Sequence, residues 1–130
     1  MIRKVLLVDD EEGVRELVEA TLANDGTIEL YTAEDGQPAL DIAREVMPDV
    51  IFLDVMMPKL NGFEVCQALK SDPATCDIKI VLLTGLAQNP DGHMAAGEDQ
   101  ADDYLLKPIS PLELLRKFED MVGAMSYSVA

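Results

Sequence analysis

The stretch Lys4-Val5-Leu6-Leu7-Val8-Asp9-Asp10 decides the fold. A short apolar run ends abruptly in two carboxylates, and helical spacing follows. Val14, Leu17, Val18, Thr21 and Leu22 recur at i, i+3, i+4, i+7 and i+8, which is one face of an α-helix. Working outward, the same alternation repeats. Short runs rich in Val, Ile and Leu lie at 28–33, 50–53, 79–83 and 103–106. Ala39, Leu40, Ala43, Val46 and Met47 form a second helical stripe, Phe63, Cys66 and Leu69 a third, and Leu114, Leu115, Phe118, Met121 and Val122 a last one. The βαβαβαβαβα pattern predicts an α/β fold with a parallel sheet and helices on both faces. The runs at 4–8, 50–53 and 79–83 are almost wholly apolar, as strands buried on both faces are. The second run carries Glu29 and the fifth is short, which marks both as edges. The predicted sheet is therefore five-stranded, doubly wound and flavodoxin-like, in the order 2-1-3-4-5.

Helix punctuation agrees. Ser110-Pro111-Leu112-Glu113 reads as a capping box with Pro at the first helical position. Asn61 and Asp35 are predicted N-caps, and Pro38 then falls in a first turn, where it is tolerated. Residues 89–99 contain Pro90, Gly92 and Gly97, with Met94 as the one sizeable apolar anchor. Interior glycines disfavour a helix by about 1 kcal/mol each, so the fourth predicted helix is short or mobile.

The 130 residues are 48% hydrophobic, enough for one domain-sized core. Ten Lys and Arg against 25 Asp and Glu give a net charge of −15. That charge repels phosphate backbones and anionic lipid, so direct binding of nucleic acid by this domain is not expected, while a metal cation or a basic partner would be attracted. Apolar runs of four residues, such as those from Val5 and from Ile80, fall far short of a membrane span. The N-terminal apolar stretch stops at Asp9, too early for a signal peptide. Cys66 and Cys76 lack C-x-x-C spacing and read as free thiols in a reducing cytoplasm.

In open parallel sheets, ligands bind beyond the carboxyl ends of the strands. Asp9 and Asp10 follow the first strand, Asp54 the third, Thr84 and Gly85 the fourth, and Lys107 and Pro108 the fifth. Each alone has an ordinary explanation. An acidic pair can cap a helix, an Asp can end a strand, Thr is a common strand residue, and a Lys can sit in a loop. Their joint placement at four strand ends is what points to chemistry. Three converging carboxylates must raise a pKa or hold a cation, and oxygen ligands in a small crevice suit Mg²⁺. With Lys107 and Thr84 beside it, Asp54 becomes a candidate nucleophile that could carry an acyl phosphate.

The motifs Val5-Leu6-Leu7-Val8-Asp9-Asp10, Asp54-Val55-Met56-Met57-Pro58-Lys59-Leu60-Asn61-Gly62, Leu83-Thr84-Gly85 and Ala101-Asp102-Asp103-Tyr104-Leu105-Leu106-Lys107-Pro108 together resemble the receiver domain of two-component response regulators over nearly the whole chain. The resemblance implies that Asp54 accepts phosphate from a sensor histidine kinase or a phosphotransfer protein. It implies that Asp9, Asp10, Asp54 and the Met56 carbonyl hold Mg²⁺, and that Thr84 and Lys107 bind the phosphoryl oxygens. Thr84 and Tyr104 would then report activation, and the module would be a signalling phosphoacceptor rather than an enzyme acting on an external substrate. A homodimer is compatible with the family's usual fourth-helix, fifth-strand and fifth-helix surface. The expected organisation is a receiver over 1–125 and a C-terminal tail over 126–130.

Three departures from the family pattern stand out. Gly85 replaces a frequent Ala, Gln100 a frequent Gly, and the interval from Thr84 to Lys107 is one residue longer than the family's usual one. Other aspartate-based classes fit less well. A haloacid-dehalogenase-type hydrolase needs Asp-x-Asp on its first strand, and here Asp9-Asp10-Glu11-Glu12 stands instead. A flavodoxin-type carrier needs a hydroxyl- and glycine-rich loop after that strand. A receiver that is never phosphorylated would not require the complete acidic set.

Overall fold

The computed structural model describes residues 3–23, 26–57, 60–85 and 101–126. The elements are β1 (Arg3–Val8), α1 (Glu12–Leu22), β2 (Ile28–Ala33), α2 (Gly36–Val46), β3 (Val50–Asp54), α3 (Gly62–Ser71), β4 (Lys79–Thr84), β5 (Asp103–Leu106) and α4 (Pro111–Ser126). The helix expected over 89–99 lies outside the described residues, as do 127–130 of the expected tail. The five strands are parallel in the order β2-β1-β3-β4-β5, as the apolar runs require. Asp54 and Thr84 are the last residues of their strands, so the sheet itself holds them. No helix among the described residues is long and apolar enough to cross a membrane.

The strand alternation sorts the sheet into two cores. Leu6, Val8, Ile51, Leu53, Ile80 and Leu82 pack with α2 and α3 through Ala39, Leu40, Ala43, Val65, Cys66 and Leu69. Val5, Leu7, Val50, Phe52, Val81 and Leu83 pack with α1 and α4 through Val18, Leu22, Leu114, Phe118 and Val122. Successive residues of β1, β3 and β4 thus serve opposite layers, and that dual burial is why these strands read as unbroken apolar runs. At the edges, only Ala33 of β2 and Leu105 of β5 are buried.

The helix stripes need two adjustments, and one cap a third. Leu17 is 42% exposed and Met47 45% exposed rather than core. Met47 follows α2 in the left-handed region at φ 54° and donates its N–H to Ala43 O, closing the helix as a C-terminal cap. The complete reciprocal box stands at Asn61 and Glu64, whereas the Glu113 N–H lies 3.5 Å from the Ser110 hydroxyl, too long for a strong bond. Asp35 caps α2 as expected, accepting from Gln37 N at 3.1 Å.

At the amino ends of the strands, Lys70 makes a clamp. Its ammonium donates to Cys76 O (3.2 Å), Ile78 O (2.8 Å) and Asp102 Oδ2 (2.8 Å). Asp102 Oδ2 also accepts from Ile80 N at 2.8 Å. The α3 C-terminus, the start of β4 and the start of β5 are thereby joined. Lys70→Met keeps the aliphatic stem but removes a donor from three acceptors. It is expected to lower unfolding free energy by about 1–3 kcal/mol, read from urea denaturation, and an unshifted midpoint would show the clamp to be inert.

Candidate functional site

The parity of the strands builds the site. Asp54 is level with Leu83 across the β3–β4 ladder, and Asp9 prolongs β1, its N–H reaching Ala33 O at 3.1 Å. Lys107 prolongs β5, its N–H reaching Thr84 O at 2.7 Å. Alternation then puts the side chains of Asp9, Asp54 and Lys107 on one side of the sheet edge and that of Thr84 on the other. The Lys107 ammonium lies 3.1 Å from Asp54 Oδ1, 3.2 Å from Asp9 Oδ2 and 3.6 Å from Glu11 Oε1. Asp9, Asp10 and Asp54 each bring an oxygen within 4.8 Å of the others.

Asp9 and Asp54 are buried, whereas Asp10 is exposed. Neither member of the acidic pair caps α1, whose N-cap is Glu11 without a side-chain cap bond. Instead Asp9 Oδ1 accepts the Glu11 N–H at 2.9 Å, tightening the β1–α1 turn. The Asp9 carbonyl accepts from Arg15 Nη1 at 2.8 Å, and Arg15 in turn lies 3.7 Å from Glu34. The other oxygen, Asp9 Oδ2, is buried and receives no hydrogen bond in acceptable geometry among the described residues. This oxygen has the Lys107 ammonium 3.2 Å away as its counter-charge. Oxygen donors converging on it from Asp10 and Asp54 match the ligand chemistry of a hard divalent cation, so the residues present fit such an ion.

Asp54 Oδ1 takes both the Lys107 contact and the Met56 N–H, at 3.2 Å. Burial raises the Asp54 pKa to about 6, reinforced by the Asp9 charge, while Lys107 and the Met56 N–H oppose the rise without offsetting it. For Lys107, burial acts downward, but the Asp54 and Asp9 carboxylates hold its pKa above the usual value. The pocket thus keeps its lysine charged and its central aspartate close to titrating.

Thr84 is buried at the end of β4 with its hydroxyl 3.5 Å from Gly85 O, across the sheet edge from the carboxylates. Tyr104 is partly buried against the core layer that includes Ile80 and Leu82. Gly62 explains how α3 reaches the site. Its N–H donates to Val55 O at 3.0 Å, and a Cβ there would meet the Asp54 carbonyl oxygen at 2.3 Å. Beside the site runs an apolar groove of about 540 Å³ between α1 and the start of α4, where Val14, Leu17, Ile109 and Pro111 adjoin Glu11 and Lys107. Sequence reasoning missed Glu11 and Arg15. Glu11 was visible as a third acid in the run, but Arg15 acts through a backbone carbonyl, which leaves no mark in sequence.

Comparison with known proteins gives one consistent picture. Residues 5–119 match the model of the response regulator receiver domain. A relative from Guillardia theta described as a probable transcriptional regulator, ycf27, is 45% identical over 111 residues, covering 85% of this chain and 42% of the relative. The response regulator PleD of Caulobacter vibrioides is 41% identical over 121 residues, covering 93% of this chain and 26% of the relative. The chain therefore spans less than half the length of these curated relatives. Among solved structures, the REC domain of AraT from Geobacillus stearothermophilus superposes with a TM-score of 0.84 at 29% identity, over 100% of both chains. The chemotaxis response regulator CheY4 of Vibrio cholerae superposes with a TM-score of 0.82 at 34% identity, over 93% of this chain and 99% of that one.

Proposed function

Because the chain belongs to the response regulator receiver domain family, we propose that Asp54 is its phosphoacceptor and that the domain switches a partner or output segment when phosphorylated. The observation that carries this reading is the pocket itself: three carboxylates within 4.8 Å, with one ammonium bridging two of them. A carboxylate oxygen of Asp54 attacks the phosphorus of a phosphohistidine. The P–O bond forms as the P–N bond breaks, and the bonding pair leaves on the imidazole nitrogen. Lys107 takes one phosphoryl oxygen from one side of the sheet edge, and the Thr84 hydroxyl takes another from the opposite side. Thr84 and Tyr104 then shift together as the switch. Asp9, Asp10, Asp54 and the Met56 carbonyl would hold Mg²⁺, which supplies charge neutralisation for the carboxylates and the incoming phosphoryl oxygens. The receiver is read as 1–125 with a tail over 126–130. Cys66, buried, and Cys76, partly exposed, are not joined in a disulfide, which is consistent with the cytoplasmic setting read from the sequence.

Incubation with acetyl phosphate and Mg²⁺, followed by intact-mass measurement, tests this directly. One added phosphoryl group, absent when Mg²⁺ is chelated before the donor is added and absent from Asp54→Asn, is the expected result, and an unlabelled wild type overturns the reading.

The donor is read as a sensor histidine kinase or a phosphotransfer protein, and the apolar groove beside Lys107 supports a helical surface docking there. Leu17→Asp puts a charge on the exposed wall of that groove without touching the pocket. It is expected to slow transfer from a phosphohistidine protein roughly tenfold, the effect of losing one apolar anchor. Labelling by acetyl phosphate should keep its rate. Equal slowing of both would place Leu17 in the chemistry instead.

A further inference from the structure

We propose that Glu11 is a positioning residue for Lys107: it offers the ammonium a place at the rim of the pocket when a divalent cation enters, and thereby sets how readily the carboxylates take that cation. The inference rests on the phosphoacceptor reading above and adds a residue to it. Three observations carry it. Glu11 is the N-cap of α1, yet its carboxylate makes no cap bond, so helix geometry leaves it uncommitted. Its backbone N–H is tied to Asp9 Oδ1, which fixes where its side chain departs. Its Oε1 lies 3.6 Å from the Lys107 ammonium, on a side chain 65% exposed, while Asp9 on the other flank is fully buried.

Among the described residues, Lys107 therefore has two inner partners and one outer partner. The inner contact at Asp9 Oδ2 uses the buried oxygen that lacks a hydrogen bond, the same atom a cation would take. An ammonium and a divalent cation cannot both sit within about 3 Å of that atom without strong repulsion. Cation entry thus requires Lys107 to shift, and Glu11 offers the nearest outer carboxylate. An exposed pair of this kind is weak, so Glu11 can hold the lysine without keeping it from a phosphoryl oxygen. Arg15, the neighbouring cation, is occupied by the Asp9 carbonyl and Glu34 and does not compete for Glu11.

The test is a calorimetric titration with Mg²⁺ alone, on the wild type, Glu11→Gln, Glu12→Gln, Lys107→Met and the double variant Glu11→Gln/Lys107→Met. Thermal melts of each variant establish that it is folded. Glu12→Gln removes the same charge from the exposed first residue of α1 and controls for general electrostatics. Glu11→Gln should weaken Mg²⁺ binding about three- to tenfold, the range over which contacting charges couple. Glu12→Gln should change it less than about twofold. In the Lys107→Met background, the Glu11 effect should shrink to that of Glu12→Gln. Equal effects of Glu11→Gln in both backgrounds overturn the proposal and leave the phosphoacceptor reading standing. A wild type that takes up no Mg²⁺ overturns both.

Discussion

Asp54→Asn is expected to abolish phosphoryl uptake and, at the same time, to make the metal-free protein more stable. The first effect follows from losing the attacking oxygen, because an amide cannot form the acyl phosphate. The second follows from the site's electrostatics. Folding buries Asp54 beside Asp9 and raises its pKa from 3.8 to about 6. The folded state then binds more protons than the unfolded state between those values. Stability therefore falls as pH rises through that window, and the penalty is fully present above about pH 6. A shift of this size corresponds to about 2–3 kcal/mol. Denaturation of apo wild type and Asp54→Asn should thus coincide near pH 4 and diverge in favour of the variant by pH 7.5. Mg²⁺ should narrow the gap, since it binds the folded wild type more tightly. Parallel pH profiles would mean that Asp54 is not held in a repulsive setting. Asp10 is exposed, so water screens its charge, and neutralising it should stabilise the apo protein less than neutralising Asp54.

Gly62→Ala should be among the most damaging single methyl additions in the molecule. The new Cβ would sit 2.3 Å from Asp54 O, 2.8 Å from Val55 Cα and 2.9 Å from Asp54 C. All three are backbone atoms at the end of β3, so no flexible side chain can give way. Relief requires α3 to retreat, which strains the Gly62 N–H to Val55 O bond and loosens packing of the buried Val65, Cys66 and Leu69. The expected loss is about 3 kcal/mol, the upper part of the usual overpacking range, together with slower labelling by acetyl phosphate because the Asp54 carbonyl must move. Gly13→Ala, where a Cβ meets nothing within 4 Å, is the matched control and should leave both readouts near wild type. Equal urea midpoints for the two variants would show that α3 is not pinned to the strand end.

Much of this arrangement is legible in the sequence. The apolar runs of β1, β3 and β4 set the sheet order because a strand buried on both faces leaves no room for polar residues. The site followed because strand ends gather polar residues, and Asp9, Asp10, Asp54 and Lys107 do meet. What escaped was whatever depends on backbone groups or on the orientation of a loop. The Arg15 contact to a carbonyl and the Lys70 contacts to Cys76 O and Ile78 O carry no side-chain signature. The demotion of Leu17 from core to groove wall also lies beyond helical periodicity, which gives a face but not its partner. The sequence allows Asp9 as cap or ligand; its two oxygens divide the roles, one closing a turn and the other facing the pocket.

The odd and even positions of the parallel strands carry one more implication. Asp54 and Lys107 share parity with Leu83 and Leu105, in the layer of α1 and α4. Thr84 shares parity with Leu82, in the layer of α2 and α3, where Tyr104 also packs. On the proposed reading, a phosphoryl group on Asp54 would lie between these two layers. A shift of Lys107 would then be felt in the layer of α1 and α4, and a shift of Thr84 in that of α2 and α3. The sheet edge works like a beam balance, with one load read out on both arms, so signals to partners on opposite sides of the molecule could be tuned by different residues.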